Sequence, residues 1–300
     1  MAVGAKTLKP ASVSMRDRYC LITGSTRGLG ESLTRAFWES GAHLLLVARN
    51  ATDLDRQLTS LEPRPGQVAL GVAADLSQPD AVQRIGESLR SQIPRLDVLI
   101  NNAAVQGPIG PLWRNDWHSW LAAVQVDLLA PVALCHAAAP WMIESGGGSI
   151  INISGGGASG PRPNFSAYAT AKSGLVRFSE TLAQELQTHN VSVNCVAPGA
   201  MNTQMLDEII RADANVSGAS EYQHAARIRR EGGASPENVA RLCLFLASAA
   251  ARGITGKLIS AAWDPWPSLL QHAADLSGSD VYTLRRIVPR DRGLTWGADL

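Results

Sequence analysis

Arg18-Tyr-Cys-Leu-Ile-Thr23 runs directly into Gly24-Ser25-Thr26-Arg27-Gly28-Leu29-Gly30, and an amphipathic stretch, Glu31 to Ser40, follows. An apolar β-rich run, a glycine turn and a helical pattern in that order predict strand, tight turn and helix. Glycines let the backbone reverse within a few residues. They also let an anion approach the amides at the helix N-terminus, where the helix dipole favours negative charge. The spacing is G-x-x-x-G-x-G rather than the commoner G-x-G-x-x-G. A turn that merely joins a strand to a helix is the plain alternative.

A second strand, His43 to Ala48, ends about 20 residues beyond these glycines, where dinucleotide folds place an acid on the ribose 2′-hydroxyl. This chain has no acid there and reads Val47-Ala48-Arg49-Asn50. Arg49 suits a 2′-phosphate, and Arg27 within the turn can reach the same group. The pair favours NADP(H) over NAD(H), although each arginine alone is equally a solvated loop charge. Val68 to Ala74 is the third expected strand, ending in Asp75-Leu76, and Asp97 to Ala104 is the fourth. Helical stretches Ala51–Leu61 and Asp80–Gln92 alternate with them, which predicts an α/β fold whose parallel sheet is covered on both faces. Ligands lie at the carboxyl ends of such strands, so Asp75 and Asn102 fall beside an adenine or ribose.

The second half carries Ser149 to Ser154 as the fifth strand, Val191 to Ala197 as the sixth and Ile254 to Ile259 as the last. Between them lies Tyr168-Ala-Thr-Ala-Lys172. Residues four apart share a helix face, so this spacing sets an ammonium beside a phenol. A neighbouring cation favours the phenolate and draws the tyrosine pKa from about 10 towards neutrality, as a general acid/base requires. Alone, the pair is also the pattern of a surface tyrosine and a solvated lysine.

Thr23-Gly24-x-x-x-Gly28-x-Gly30, Asp75, Asn101-Asn102-Ala103, Tyr168-x-x-x-Lys172 and Pro198-Gly199 together resemble the short-chain dehydrogenase/reductase family over about residues 17 to 260. The resemblance implies a single Rossmann-type doubly wound domain of about seven parallel strands, a nicotinamide cofactor and a homo-oligomer, dimer or tetramer. Cofactor contacts are implied for Gly24, Ser25, Thr26, Arg27, Gly28, Leu29 and Gly30, for Arg49, and for Asp75 and Leu76 at the adenine. Asn102, Ala103 and Ala104 belong to the cofactor loop. Lys172 bonds the nicotinamide ribose, Pro198, Gly199 and Met201 lie at the nicotinamide end with Val196 or Met201 near the ring, and Thr203 is close to phosphate.

The chain departs from the family pattern twice. The catalytic serine is expected 13 residues before the tyrosine, where this sequence has Gly155. Ser154 is adjacent and Ser159 lies further along, but strand alternation turns Ser154 away unless Gly155-Gly156-Gly157 reshape the turn. The family's fourth catalytic residue, an asparagine, is replaced by Asp127, which can orient a water towards Lys172.

The 300 residues are 45% hydrophobic and 18% charged with net charge +1, a balance that gives no support for a nucleic-acid binder or a funnel for acidic substrates. Cys20, Cys135, Cys195 and Cys243 are scattered without a C-x-x-C pair, so neither a metal site nor a disulfide scaffold is expected. No uninterrupted apolar run reaches the roughly 18–20 residues that span a bilayer, and residues 1–16 lack a signal-peptide centre. The expected organisation is a flexible leader at 1–16, a catalytic domain at 17–262 and an extension at 263–300, in a cytoplasmic protein. Trp113, Trp117 and Trp120 repeat at helical spacing, which suits core packing or a subunit contact, ahead of a long apolar helix from Ala122 to Met142. Residues 204–234 read as a mobile cover or as ordinary exposed helices. Trp263 and Trp266 suit either a loop over a sugar ring or a subunit contact, so the extension is placed near the substrate site or an interface. The chemistry expected is NADP(H)-dependent interconversion of an alcohol and a carbonyl on a small polar, sugar-like substrate. A cofactor-binding but catalytically weakened sensor or subunit partner is the alternative. An epimerase or dehydratase fits less well, because such relatives carry a large C-terminal substrate domain.

Overall fold

Seven parallel strands form one sheet in the order β3-β2-β1-β4-β5-β6-β7. They are β1 Tyr19–Thr23, β2 His43–Ala48, β3 Ala69–Ala73, β4 Val98–Asn101, β5 Gly148–Ile153, β6 Val191–Ala197 and β7 Leu258–Ser260 in the computed structural model, which describes residues 13–296. The connections hold α1 Gly28–Glu39, α2 Ala51–Thr59, α3 Ala81–Arg90, α4 Trp117–Val124, α5 Ala130–Glu144 and α6 Ser166–Glu185. After β6 come α7 Gln204–Arg211, α8 Asp213–Ser217, α9 Ala219–Glu231 and α10 Pro236–Ala247, and α11 Ala273–Ser277 follows β7. This is the doubly wound α/β fold the strand–helix alternation predicts.

The two-residue period of each strand divides the core between the two faces of the sheet. Cys20, Ile22, Leu44, Leu46, Val98, Ile100 and Ile151 pack with α1 and α10 on one face. Leu21, Leu45, Val47, Leu99, Ile150 and Val193 pack with α3 and α5 on the other. The strand order reverses at β1, whose neighbours are β2 and β4, and a crevice opens at the carboxyl ends there.

Ser235 caps α10 by accepting from Asn238 N–H, with Pro236 at the first helical position. The expected strand at 254–259 begins later, at Leu258. Gly256 takes φ +71°, and Thr255 Oγ1 accepts from Val193 N–H, so the preceding residues form a turn.

Several expectations are corrected. The leader does not extend to residue 16, because Met15 is buried in the core and its N–H donates to Ser40 O. Residues 1–12 lie outside the described residues. The long apolar helix expected from Ala122 to Met142 extends over 28 residues, Trp117–Glu144, and by length and composition is long and apolar enough to cross a bilayer, contrary to the expectation that no apolar run reaches that length. Its inner face, Ala130, Leu134, Ala138 and Met142, packs on the sheet. Trp113 and Trp117 are not core residues, at 84% and 57% exposure, although Trp117 stacks on Trp120. The extension packs on its own domain: Trp266, Leu269 and Leu276 join the core, and Tyr282 O accepts from Leu258 N–H beside β7. Residues 204–231 fold as α7–α9 around Leu206, Ile209, Ala225 and Ile228.

Candidate active site

Gly24 and Gly28 adopt φ +63° and +54°, backbone that side chains other than glycine adopt with strain. Gly30 has a different reason to be glycine: a Cβ there would stand 1.9 Å from Gly24 O. The turn therefore folds tightly against the first turn of α1 and leaves backbone amides facing the crevice. Asn102 braces it from β4, donating to Thr23 O and Gly24 O at 3.0 and 3.1 Å. Thr23 Oγ1 returns the bond by accepting from Asn102 N–H and Ala103 N–H.

One continuous cleft of about 520 Å³ runs from this turn to the end of β5. Gly24, Thr26, Arg27, Gly28, Leu29 and Gly30 line it, as do Arg49, Asp75, Leu76, Asn102, Ala103 and Ala104. Pro198, Met201 and Thr203 line the far wall, and Ser154, Tyr168 and Lys172 close the reaction end. Four sequence-assigned residues, Ser25, Gly199, Val196 and Asp127, do not line it. Ser25 is fully buried and donates from Oγ to Val47 O, because it takes the inward position of the turn. Gly199, at φ +81°, serves the bend after β6 and abuts Ala234 and Ala262. Val196 likewise belongs to the core.

Asp127 is 0% exposed and does not line the cleft, yet it organises the reaction end. It sits in a wide helical turn, Gln125–Leu129, where Ala130 N–H reaches back five residues to Gln125 O and joins α4 to α5. Such π-turns redirect side chains at functional sites. Asp127 Oδ1 accepts from Val105 N–H at 2.8 Å, and Oδ2 lies 3.7 Å from Lys172 Nζ. Lys172, 2% exposed, also donates to Ile153 O at 3.1 Å. Burial pushes the Asp127 carboxyl up to about 6, against the opposing pull of Lys172 and the Val105 N–H bond.

Tyr168 and Lys172 share the helix face as their spacing predicts, with Nζ 5.6 Å from the ring centroid. The expected fall in the tyrosine pKa does not occur in this structure. Burial drives it well above the usual phenol value, and the Asp127 charge adds to the rise. The cation that opposes the rise is Arg162, 5.8 Å from the tyrosine ring, held by a bidentate pair with Glu221 on α9. At neutral pH the phenol accordingly carries its proton.

Gly155 touches the tyrosine: a Cβ built there would lie 2.2 Å from Tyr168 Oη. No serine fits at that position with the phenol where it stands. Ser154 does line the cleft, contrary to simple strand alternation, and its buried Oγ has no hydrogen-bond partner. The glycine turn starts where β5 ends, so the strand's alternation stops applying there.

Lining residues outside the sequence assignments include Val105, Gln106, Asn202, Gln204, Met205, Asp207, Glu208 and Arg229. The last five sit on or beside α7 and α9, where Arg27 donates to Gln204 Oε1 and Arg229 to Asn202 Oδ1. Nothing in a helix-period pattern marks them, since folding brings them over the turn from about 180 residues away along the chain.

The cleft and sheet define a Rossmann-type nucleotide-binding protein with a buried tyrosine–lysine pair at the carboxyl edge of the strands. A family model described as enoyl-(acyl carrier protein) reductase matches residues 24–261. Dehydrogenase/reductase SDR family member 4 of Sus scrofa is 30% identical over 86% of this chain and 89% of its own length. The 3-oxoacyl-(acyl-carrier-protein) reductase FabG of Thermotoga maritima is 30% identical over 82% of this chain and 96% of its own. Among solved structures, L-sorbose reductase from Gluconobacter frateurii, complexed with NADPH and L-sorbose, superposes with TM-score 0.73 at 30% identity. That match covers 83% of this chain and 97% of the reductase. The chain belongs to the short-chain dehydrogenase/reductase family of oxidoreductases.

Proposed function

We propose that this protein is an NADP(H)-dependent oxidoreductase interconverting an alcohol and a carbonyl on a small polar substrate. The observation that carries the reading is the single cleft, which joins a glycine phosphate turn flanked by Arg27 and Arg49 to Tyr168 and Lys172. The cleft fits a dinucleotide. Its turn glycines line one end, and the end of β2 offers Arg49 in place of the acid that would repel a 2′-phosphate. When bound, the nicotinamide supplies the hydride.

The chain's own residues supply the rest. Tyr168, protonated at neutral pH, gives its proton to the oxygen of a carbonyl undergoing reduction. The Lys172 ammonium compensates the phenolate left behind, and Asp127 with Ile153 O fixes its position. The relatives named as reductases, and the sugar reductase with its NADPH, support this reading. A cytoplasmic location and a homo-oligomer belong to the same proposal.

The test follows loss of NADPH absorbance across a panel of ketones, hydroxyketones and ketoses, with NADPH binding measured separately by thermal shift. Turnover with NADPH preferred over NADH is expected, and Tyr168→Phe should lower kcat roughly 10²–10⁴-fold while leaving binding intact. Absence of both NADPH stabilisation and turnover would defeat the proposal. Gly155 favours a second reading, a cofactor-binding protein with weakened catalysis. That reading requires tight NADPH binding and no measurable activity for Tyr168→Phe to remove.

A further inference from the structure

We infer that Gln106, together with Ser154, supplies the substrate hydrogen bonds that Gly155 does not, and that this pair selects carbonyl compounds bearing an adjacent hydroxyl. The inference rests on the oxidoreductase reading above. A carbonyl being reduced needs a donor on its oxygen besides the proton-giving group. The contact between Gly155 and Tyr168 Oη leaves no space for a hydroxyl on residue 155, so the donor comes from another part of the cleft.

Five buried side-chain polar atoms lack a hydrogen-bond partner among the described residues: Asn101 Oδ1, Gln106 Nε2, Asp127 Oδ2, Ser154 Oγ and Glu180 Oε2, of which Asp127 Oδ2 and Glu180 Oε2 are ion-paired with Lys172 and Arg177. Only two of their residues, Gln106 and Ser154, line the cleft that Tyr168 also lines. Gln106 is 3% exposed, and its Nε2 is buried. Buried polar groups ordinarily find partners, and those left without one at a cleft await a ligand.

The backbone around Gln106 is fixed on both sides. Val105 N–H is held by Asp127 Oδ1 at 2.8 Å. Gly107 has φ +67° and approaches so closely that a Cβ would sit 2.8 Å from Ala123 Cβ. The amide is thus presented from a rigid loop, as a binding group must be to act without reorganising.

The two groups differ in kind. An amide nitrogen only donates, which matches a carbonyl oxygen that only accepts. A serine hydroxyl both donates and accepts, which matches a substrate hydroxyl. An α-hydroxyketone, including an open-chain ketose, offers both partners on adjacent carbons. A plain ketone leaves one group unpaired and is rejected for that reason. Gln106 and Ser154 keep their protons throughout. Tyr168 gives its proton to the carbonyl oxygen, and with the hydride that a bound nicotinamide would supply at the carbonyl carbon the ketone becomes a vicinal diol.

The experiment compares hydroxyacetone and four- to six-carbon ketoses with plain ketone isosteres such as 2-butanone, using the full chain with NADPH. The unsubstituted protein should favour the hydroxyketones roughly 10²-fold or more in kcat/KM. Gln106→Leu should lower kcat on the hydroxyketone about 100-fold with NADPH affinity unchanged. It should also abolish the thermal shift that the hydroxyketone produces on the NADP⁺-bound protein. Ser154→Ala should erase much of the preference by lowering kcat/KM for the hydroxyketones more than for 2-butanone. Gln106→Glu, equal in size but lacking the amide donors, should repeat the Gln106→Leu loss and carries the test if the leucine variant does not fold. Turnover of hydroxyketones unaffected by either Gln106 variant overturns this inference and leaves the oxidoreductase reading standing, as does equal use of the two ketone classes. NADPH binding without reduction of any ketone overturns both.

Discussion

Asp127 has no solvent exposure and faces Lys172 across 3.7 Å, so burial and ion pairing act on its carboxyl in opposite senses. Burial prevails, and the carboxyl titrates near 6 instead of 3.8. A carboxyl raised on folding binds its proton more tightly in the native state. Its stabilising contribution is therefore complete below about pH 4 and is lost as pH rises through about 6. Below that value Lys172 also loses its charged partner. We expect kcat/KM to fall on the acid side with an apparent pKa near 6. Asp127→Asn should remove that limb and flatten the stability change between pH 4 and 6, measured by pH–rate profile and thermal unfolding. The tyrosine–lysine pair was legible in the sequence because a four-residue spacing is a property of the helix itself. The direction of the Tyr168 shift was not, since it depends on burial and on Asp127, 41 residues away along the chain.

Among elements, the strand–glycine–helix unit from β1 to α1 is where period and turn chemistry agree, and its expected form was found. The wide turn Gln125–Leu129 left no comparable trace, because an i→i+5 step inside an apolar helix needs no special residue type. The intradomain packing of the extension left no trace for a related reason. Tryptophans beside prolines and aspartate mark an aromatic loop but not what the rings meet. Trp266 meets Phe245 of α10, with ring centroids 5.9 Å apart, and is buried with Leu269 and Leu276. Lys257 Nζ donates to Ser279 O and Val281 O, and Glu180 accepts from Leu284 N–H, so side chains of the domain strap the extension down. Trp266→Ala should cost about 3–5 kcal/mol in denaturant unfolding, as a core substitution does. A change near zero would mean that the extension contributes little to the fold.

On the molecule as a whole, the sheet sets the cleft at its topological switch, and a helix face remains for association. Trp113, Trp117, Leu121 and Leu129 are exposed on or beside the long helix, and exposed apolar groups of this kind mark interaction surfaces when contiguous. A homo-oligomer joined there is expected. Sedimentation should show a dimer or larger, and Trp117→Glu with Leu121→Glu should shift it towards monomer without altering secondary structure. A monomer in the unsubstituted protein would exclude this arrangement.

Element order, sheet direction, the glycine turn and the pairing of Tyr168 with Lys172 were all legible before folding. They depend on local period, on glycine's freedom at positive φ and on which strand end follows which helix. Folding alone decided that Tyr168 Oη would press on Gly155, that Asp127 would hold both Val105 and Lys172, and that Gln106 would be buried without a partner. These are contacts between distant segments. Their distances, desolvation and charge states come into being only when the chain closes on itself.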